Sequence, residues 1–156
     1  MMDWSLKIDK VESPAGNNLY SIFAYLCIEG DNTDKILNIH QFYNLIENDG
    51  VLPLFTCSCG DFECGGQFVE IEKYDEGFQL RKLFDRNNNF IKTLDFKLTW
   101  DDMIIIGNEI IETISEIEHK NSDIKICNGT MGDDLKESMN VFREKIDEYI
   151  ILREKE

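Results

Sequence analysis

Hydrophobic and polar positions divide the chain into a strand-like first part and a helical last part. Trp4, Leu6 and Ile8 alternate with Ser5, Lys7 and Asp9, the period of a strand with one buried face. After the turn cluster Ser13-Pro14-Ala15-Gly16-Asn17-Asn18, residues Tyr20 to Ile28 are apolar on both faces. Such a strand sits centrally in its sheet or beneath a second layer. Lys35 to Ile39 follows a Gly30-Asp31-Asn32 turn and is expected to pair next. Ile39, Phe42, Tyr43 and Ile46 recur at helical spacing, which predicts a short helix from His40 to Glu47, ended by Asn48-Asp49-Gly50. Val51 to Cys59 is expected to be extended, with Pro53 placing it at an edge or at a strand start. Phe68–Tyr74 and Phe78–Phe84 read as a hairpin around Asp75-Glu76-Gly77. Beyond the Arg86-Asn87-Asn88-Asn89 turn, Phe90 to Trp100 has the clearest alternation, with Phe90, Leu94, Phe96, Leu98 and Trp100 expected on one face.

From there the period changes. Thr99 and Asp102 have capping-box spacing directly before an apolar run. Met103, Ile106, Ile110, Ile114 and Ile117 then mark one face of a helix reaching Lys120. Asn121 to Gly132 reads as an irregular connection with a short extended piece at Ile124-Lys125-Ile126. A last helix is expected from about Asp133, with Leu135, Met139, Phe142, Ile146, Tyr149 and Ile150 as its core stripe. Strands first and helices later predict one α+β domain over residues 1–156. Its sheet is expected to be mostly antiparallel and covered on one face by helices, two of them C-terminal.

Charge changes this picture of an ordinary domain. The 31 acids and 16 bases leave a net charge of −15. Residues 1–78 hold 14 of the acids and only Lys7, Lys10, Lys35 and Lys73 against them. A surface this negative repels phosphate backbones and anionic membranes, so nucleic acid and membrane are not expected partners. It attracts a basic protein, and it also serves plain solubility. No basic and apolar leader opens the sequence, and the longest apolar run, Met103 to Ile106, is far too short for a bilayer. A cytoplasmic protein is expected, with its five cysteines mostly reduced. The two alanines beside abundant Ile, Asn and Lys suit an A/T-rich bacterial genome.

One stretch has chemical potential: Thr56-Cys57-Ser58-Cys59-Gly60-Asp61-Phe62-Glu63-Cys64-Gly65-Gly66. Cys57, Cys59 and Cys64 are candidate zinc ligands, with Cys27, Cys127, His40 or His119 as a distant fourth. The spacing is not the paired C-x-x-C of zinc sites, so zinc is an alternative and no cofactor is the main expectation. Redox chemistry is disfavoured because Asp61 and Glu63 raise the cost of a thiolate. The remaining reading is a tight glycine hairpin packed by small apolar thiols.

Leu52-Pro53-Leu54-Phe55-Thr56-Cys57-Ser58-Cys59-Gly60 and Cys64-Gly65-Gly66 resemble a motif, roughly LPLxTCxCGxxxCGG, of a family of small uncharacterised bacterial proteins. The resemblance implies strands around the motif and an extended segment ending in Trp downstream. It implies a shared structural turn and carries no function with it.

No catalytic motif stands out. His40 and His119 have no nucleophile beside them in sequence, and Asp101-Asp102 suits a helix start. The expected function is a non-enzymatic module that binds a basic protein, of which a bacterial immunity protein is one version. Its candidate contacts are Glu47, Asp49, Asp61, Glu63, Glu70 and Glu72.

Overall fold

The structure is a computed structural model. It describes residues 4–12, 19–28, 35–45, 50–56, 66–120, 125–128 and 135–154, with backbone alone at 19, 35, 128, 136–138 and 149–154. Seven strands follow one another across the sheet in chain order, each antiparallel to the next. They are β1 (Trp4–Glu12), β2 (Leu19–Ile28), β3 (Lys35–Leu37), β4 (Gly50–Thr56), β5 (Gln67–Tyr74), β6 (Gly77–Asp85) and β7 (Phe90–Thr99). Helix α1 (Ile39–Asn44) lies between β3 and β4, and α2 (Trp100–Lys120) continues directly from β7. An eighth strand, β8 (Lys125–Asn128), precedes α3 (Lys136–Glu154). The expected α+β architecture is the one found, a mostly antiparallel sheet curled into a half-barrel with helices against it.

The doubly apolar segment is β2, an interior strand next to the edge strand β1. On one edge β2 pairs with β1 along its whole length, from Trp4↔Ile28 to Glu12↔Tyr20. On the other edge Tyr25 and Leu26 meet β3, while Leu19 to Ile22 run parallel to β8. Ile22, Ala24 and Leu26 are fully buried on one face, and Ser21 and Phe23 are buried on the other. The short extended piece read in the connection between the long helices therefore belongs to the sheet. Four residues without alternation reveal nothing of a parallel partner a hundred positions away.

Two boundaries depart from the sequence reading. Pro53 is neither at an edge nor at a strand start: β4 lies between β3 and β5. Its missing N–H is tolerated because β3 reaches only Phe55 and Thr56, and the β4–β5 register shifts between Leu52 and Phe55. Trp100 does not end β7 but opens α2. The Thr99 N–H donates to Asp102 Oδ2 at 3.0 Å and the Asp102 N–H donates to Thr99 Oγ1 at 3.0 Å, the reciprocal capping box. The Trp100 N–H donates to the Glu76 carbonyl and its indole Nε1 to the Asp75 carbonyl, both at 3.0 Å. Its ring meets Phe78 edge-on at 4.7 Å. The start of α2 is thus latched to the β5–β6 turn. Thr99→Ala or Asp102→Ala is expected to cost about 1 kcal/mol in chemical denaturation, the pair together less than the sum.

The helices fill the concave side of the sheet. Met103, Ile106, Ile110, Ile114 and Ile117 of α2 are all buried, as are Leu135, Met139, Phe142 and Ile146 beside or on α3. Helix α2 leaves one edge strand, β7, and packs against the other, β1, where Lys10 Nζ lies 3.6 Å from Glu116. Seven flat strands would hold those edges about 29 Å apart, at ~4.8 Å per strand. Trp100 to Glu116 spans only about 24 Å at 1.5 Å per residue. A helix short of the flat width touches both edges because the sheet curls around it.

Candidate functional site

Of the six candidate contact residues, the described part of the structure contains Glu70 and Glu72; Glu47, Asp49, Asp61 and Glu63 lie outside it. Both belong to β5, where Val69 and Ile71 are buried in the core and the glutamates face away from it. The neighbouring strand carries cations against them. Lys82 Nζ is 4.0 Å from Glu70, and Arg81 pairs with Glu72. The hydrogen bond and charge of Glu72 hold the Arg81 guanidinium above its ordinary value. A shift in the β5–β6 register at Glu70/Ile71 leaves Arg81 and Lys82 both exposed on β6. Farther along the same face Gln79 donates to Asp95 at 3.0 Å, and Lys97 stands 5.8 Å over the Tyr74 ring. Residues 66–99 contain six acids and six bases, so this face of the sheet is electrically balanced.

Among the described residues the imbalance is on α2. Between Trp100 and Glu118 there are six carboxylates and neither a Lys nor an Arg. Asp101, Glu109, Glu112 and Glu116 are exposed at steps of three, four and eight residues, so they line the side opposite the buried isoleucines. Glu109 with Glu112, and Glu112 with Glu116, are like charges one turn apart, each costing about 0.2–0.5 kcal/mol in a helix. Lys10 offsets Glu116 from β1. Ile105, 45% exposed, lies within the same row. The sequence reading placed the acidic weight in the first half of the chain and did not single out this ridge. Its signal was legible all the same, as twenty helical residues, Trp100 to His119, without a Lys or Arg.

The candidate metal ligands Cys57, Cys59 and Cys64 lie outside the described residues. All four proposed distant ligands lie among the described residues: His40 on α1, His119 in the last turn of α2, Cys27 on β2 and Cys127 on β8. Cys27 stands opposite Ser5, and Cys127, a buried free thiol, stands opposite Ser21. The six residue steps of β2 from Ser21 to Cys27 span about 20 Å. The two thiols therefore cannot serve one metal ion. Among the described residues no three His, Cys, Asp or Glu side chains gather as a metal site.

Tyr43 and Asp85 depart from their ordinary ionisation in opposite directions. The Tyr43 hydroxyl is buried without a hydrogen-bond partner, its ring stacked on Phe142 at 4.4 Å. Burial drives its phenol far above the ordinary value, and the charge of Arg143 offsets only part of that, so it stays protonated. Asp85 moves the other way, held low chiefly by the backbone N–H of Asn89. It also accepts from Asn87, and the whole arrangement shapes the β6–β7 turn. No family model, curated protein or solved structure matches the chain.

Proposed function

We propose that this chain is a non-enzymatic binding module that engages a basic protein partner in the cytosol. A bacterial immunity protein that neutralises a basic toxin is one concrete form. The observation that supports it best is the distribution of charge. The carboxylates of the β5–β6 face have cations of their own, whereas Glu109, Glu112 and Glu116 on α2 form an exposed row with Lys10 against its last member. Lysines and arginines of a partner relieve the repulsion stored along that row, and the −15 field speeds their arrival. Glu70 and Glu72 contribute by exchanging Lys82 and Arg81 for partner cations, a smaller gain because existing pairs are broken first.

The test is affinity capture of partners from the protein's own cells, eluted by a salt gradient, with three baits compared. The unaltered protein is expected to retain one basic protein that salt releases. A Glu109→Gln, Glu112→Gln, Glu116→Gln bait is expected to bind it roughly tenfold more weakly and with a flatter salt dependence. Charge reversal at Asp61 and Glu63 asks the same of the first half of the chain. Binding indifferent to salt and to both sets of substitutions would sink the electrostatic reading.

A further inference from the structure

Among the described residues β7 pairs with β6 alone, which leaves a ten-residue strand with one open edge. An open edge presents unpaired N–H and C=O groups to any strand that can approach. Three observations bear on what approaches this one.

The first is charge. Two copies of a −15 molecule repel, and they repel least where their facing surfaces are neutral. Residues 66–99, which make β5, β6 and β7, hold six acids and six bases; the whole net charge lies elsewhere.

The second is the order of side chains along β7. Leu94, Phe96 and Leu98 are buried on the core side, and Thr93, Asp95, Lys97 and Thr99 are exposed on the other. Two copies of this strand, antiparallel about a two-fold axis at Phe96, bring residue pairs whose numbers sum to twice ninety-six face to face. Asp95 then stands opposite Lys97 of the second copy, and Lys97 opposite its Asp95. Thr93 meets Thr99 twice, and Leu94 meets Leu98 twice. Every directly opposed pair is on the correct face, and both charged pairs attract. A slip of two residues in either direction breaks both ion pairs. A slip of one sets core side chains against solvent side chains.

The third is exposed apolar surface on the same strand. Phe90 is 58% and Ile91 44% exposed, and Phe90 packs on Phe84 of β6 at 6.1 Å. In this register both lie opposite the start of α2 in the second copy.

We infer that the chain forms a two-fold homodimer by antiparallel pairing of β7 with β7 of a second copy, centred on Phe96. A lysine on an edge strand ordinarily discourages pairing. Here Asp95 two positions away turns Lys97 from a deterrent into the element that selects one register. In the single chain these side chains turn inward, Asp95 accepting from Gln79 of β6 and Lys97 lying over Tyr74 of β5, and both re-aim across the edge when the second copy pairs.

Sedimentation equilibrium of the full chain, from about 1 to 500 µM, tests this with three variants checked for folding by circular dichroism. The unaltered protein is expected to show a monomer–dimer equilibrium in that range. Lys97→Asp alone places Asp opposite Asp twice, and Asp95→Lys alone places Lys opposite Lys twice. Each is expected to weaken dimerisation about tenfold or more. The double variant Asp95→Lys, Lys97→Asp restores both attractive pairs and is expected to return to within about threefold of the original. The single variants alter the net charge in opposite directions. General repulsion alone therefore predicts that Asp95→Lys strengthens association, which would overturn the proposal. A monomer at every concentration, or a dimer indifferent to both single reversals, would overturn it equally.

Discussion

Truncating Phe142 to alanine is expected to lower the unfolding free energy by about 3–5 kcal/mol, the range for removing a buried aromatic ring. The ring is fully buried at the meeting point of all three helices. It stacks on Tyr43 of α1 at 4.4 Å and lies 6.2 Å from Phe42. On its other side it rests directly on Gly107 of α2. A Cβ built there would stand 2.1 Å from Phe142 Cζ and 2.2 Å from Cε1. The absence of a side chain at Gly107 is what lets α3 approach α2, and the ring fills the space so made. Gly107→Ala is therefore expected to destabilise by about 1–3 kcal/mol, although alanine is the better helix former by about 1 kcal/mol. The double variant with Phe142→Leu is expected to lose less than the sum, because the shorter side chain leaves room for the methyl group. Chemical denaturation of the four proteins measures the coupling. Strict additivity would mean that the two positions do not share this contact.

Gly77→Ala is expected to be nearly as damaging, about 3 kcal/mol, for a different reason. Gly77 opens β6 opposite Thr99, and an added Cβ would lie 2.1 Å from the Leu98 carbonyl oxygen and 2.7 Å from Thr99 Cα. These are backbone atoms of β7 at the point where the capping box and the Trp100 latch hold the start of α2. Neither rotamer change nor repacking relieves such a clash. Gly50 supplies the control. It has φ of +97°, but nothing stands within 4 Å of an added Cβ. Gly50→Ala is then expected to cost only the conformational penalty, about 1–2 kcal/mol. Thermal denaturation followed by tryptophan fluorescence compares the two directly. Equal losses at both glycines would show that conformation, and not the close approach of β7, governs Gly77.

The elements that could be read from sequence are those whose periodicity is carried by many residues at once. Strict alternation from Leu94 to Thr99 marked β7, and five buried residues at helical steps marked α2. The capping box of Thr99 and Asp102 was equally local, being two side chains and two backbone amides within four residues. The doubly apolar β2 marked an interior strand, and it is paired along both edges, with β1 on one and with β3 and β8 on the other. The candidate site was legible in part. Net charge argued against nucleic acid as a partner, but summing charge over each half of the chain hid the exposed row of Glu109, Glu112 and Glu116 on α2.

What the sequence determined by itself, then, is everything decided by near neighbours: the order of elements, their buried faces, the start of α2 and the acidic balance. Tertiary structure alone decided the rest. It placed β8 beside β2, moved Pro53 to an irregular stretch of an interior strand, and set Phe142 against Gly107. It also paired Glu70 and Glu72 with Lys82 and Arg81 while leaving the row on α2 exposed. The physical reason is the same in each case. Periodicity and capping are energies between residues within about a turn of one another. Strand pairing, close helix packing and charge compensation are energies between residues that only the completed fold brings together, and no local pattern in the chain records them.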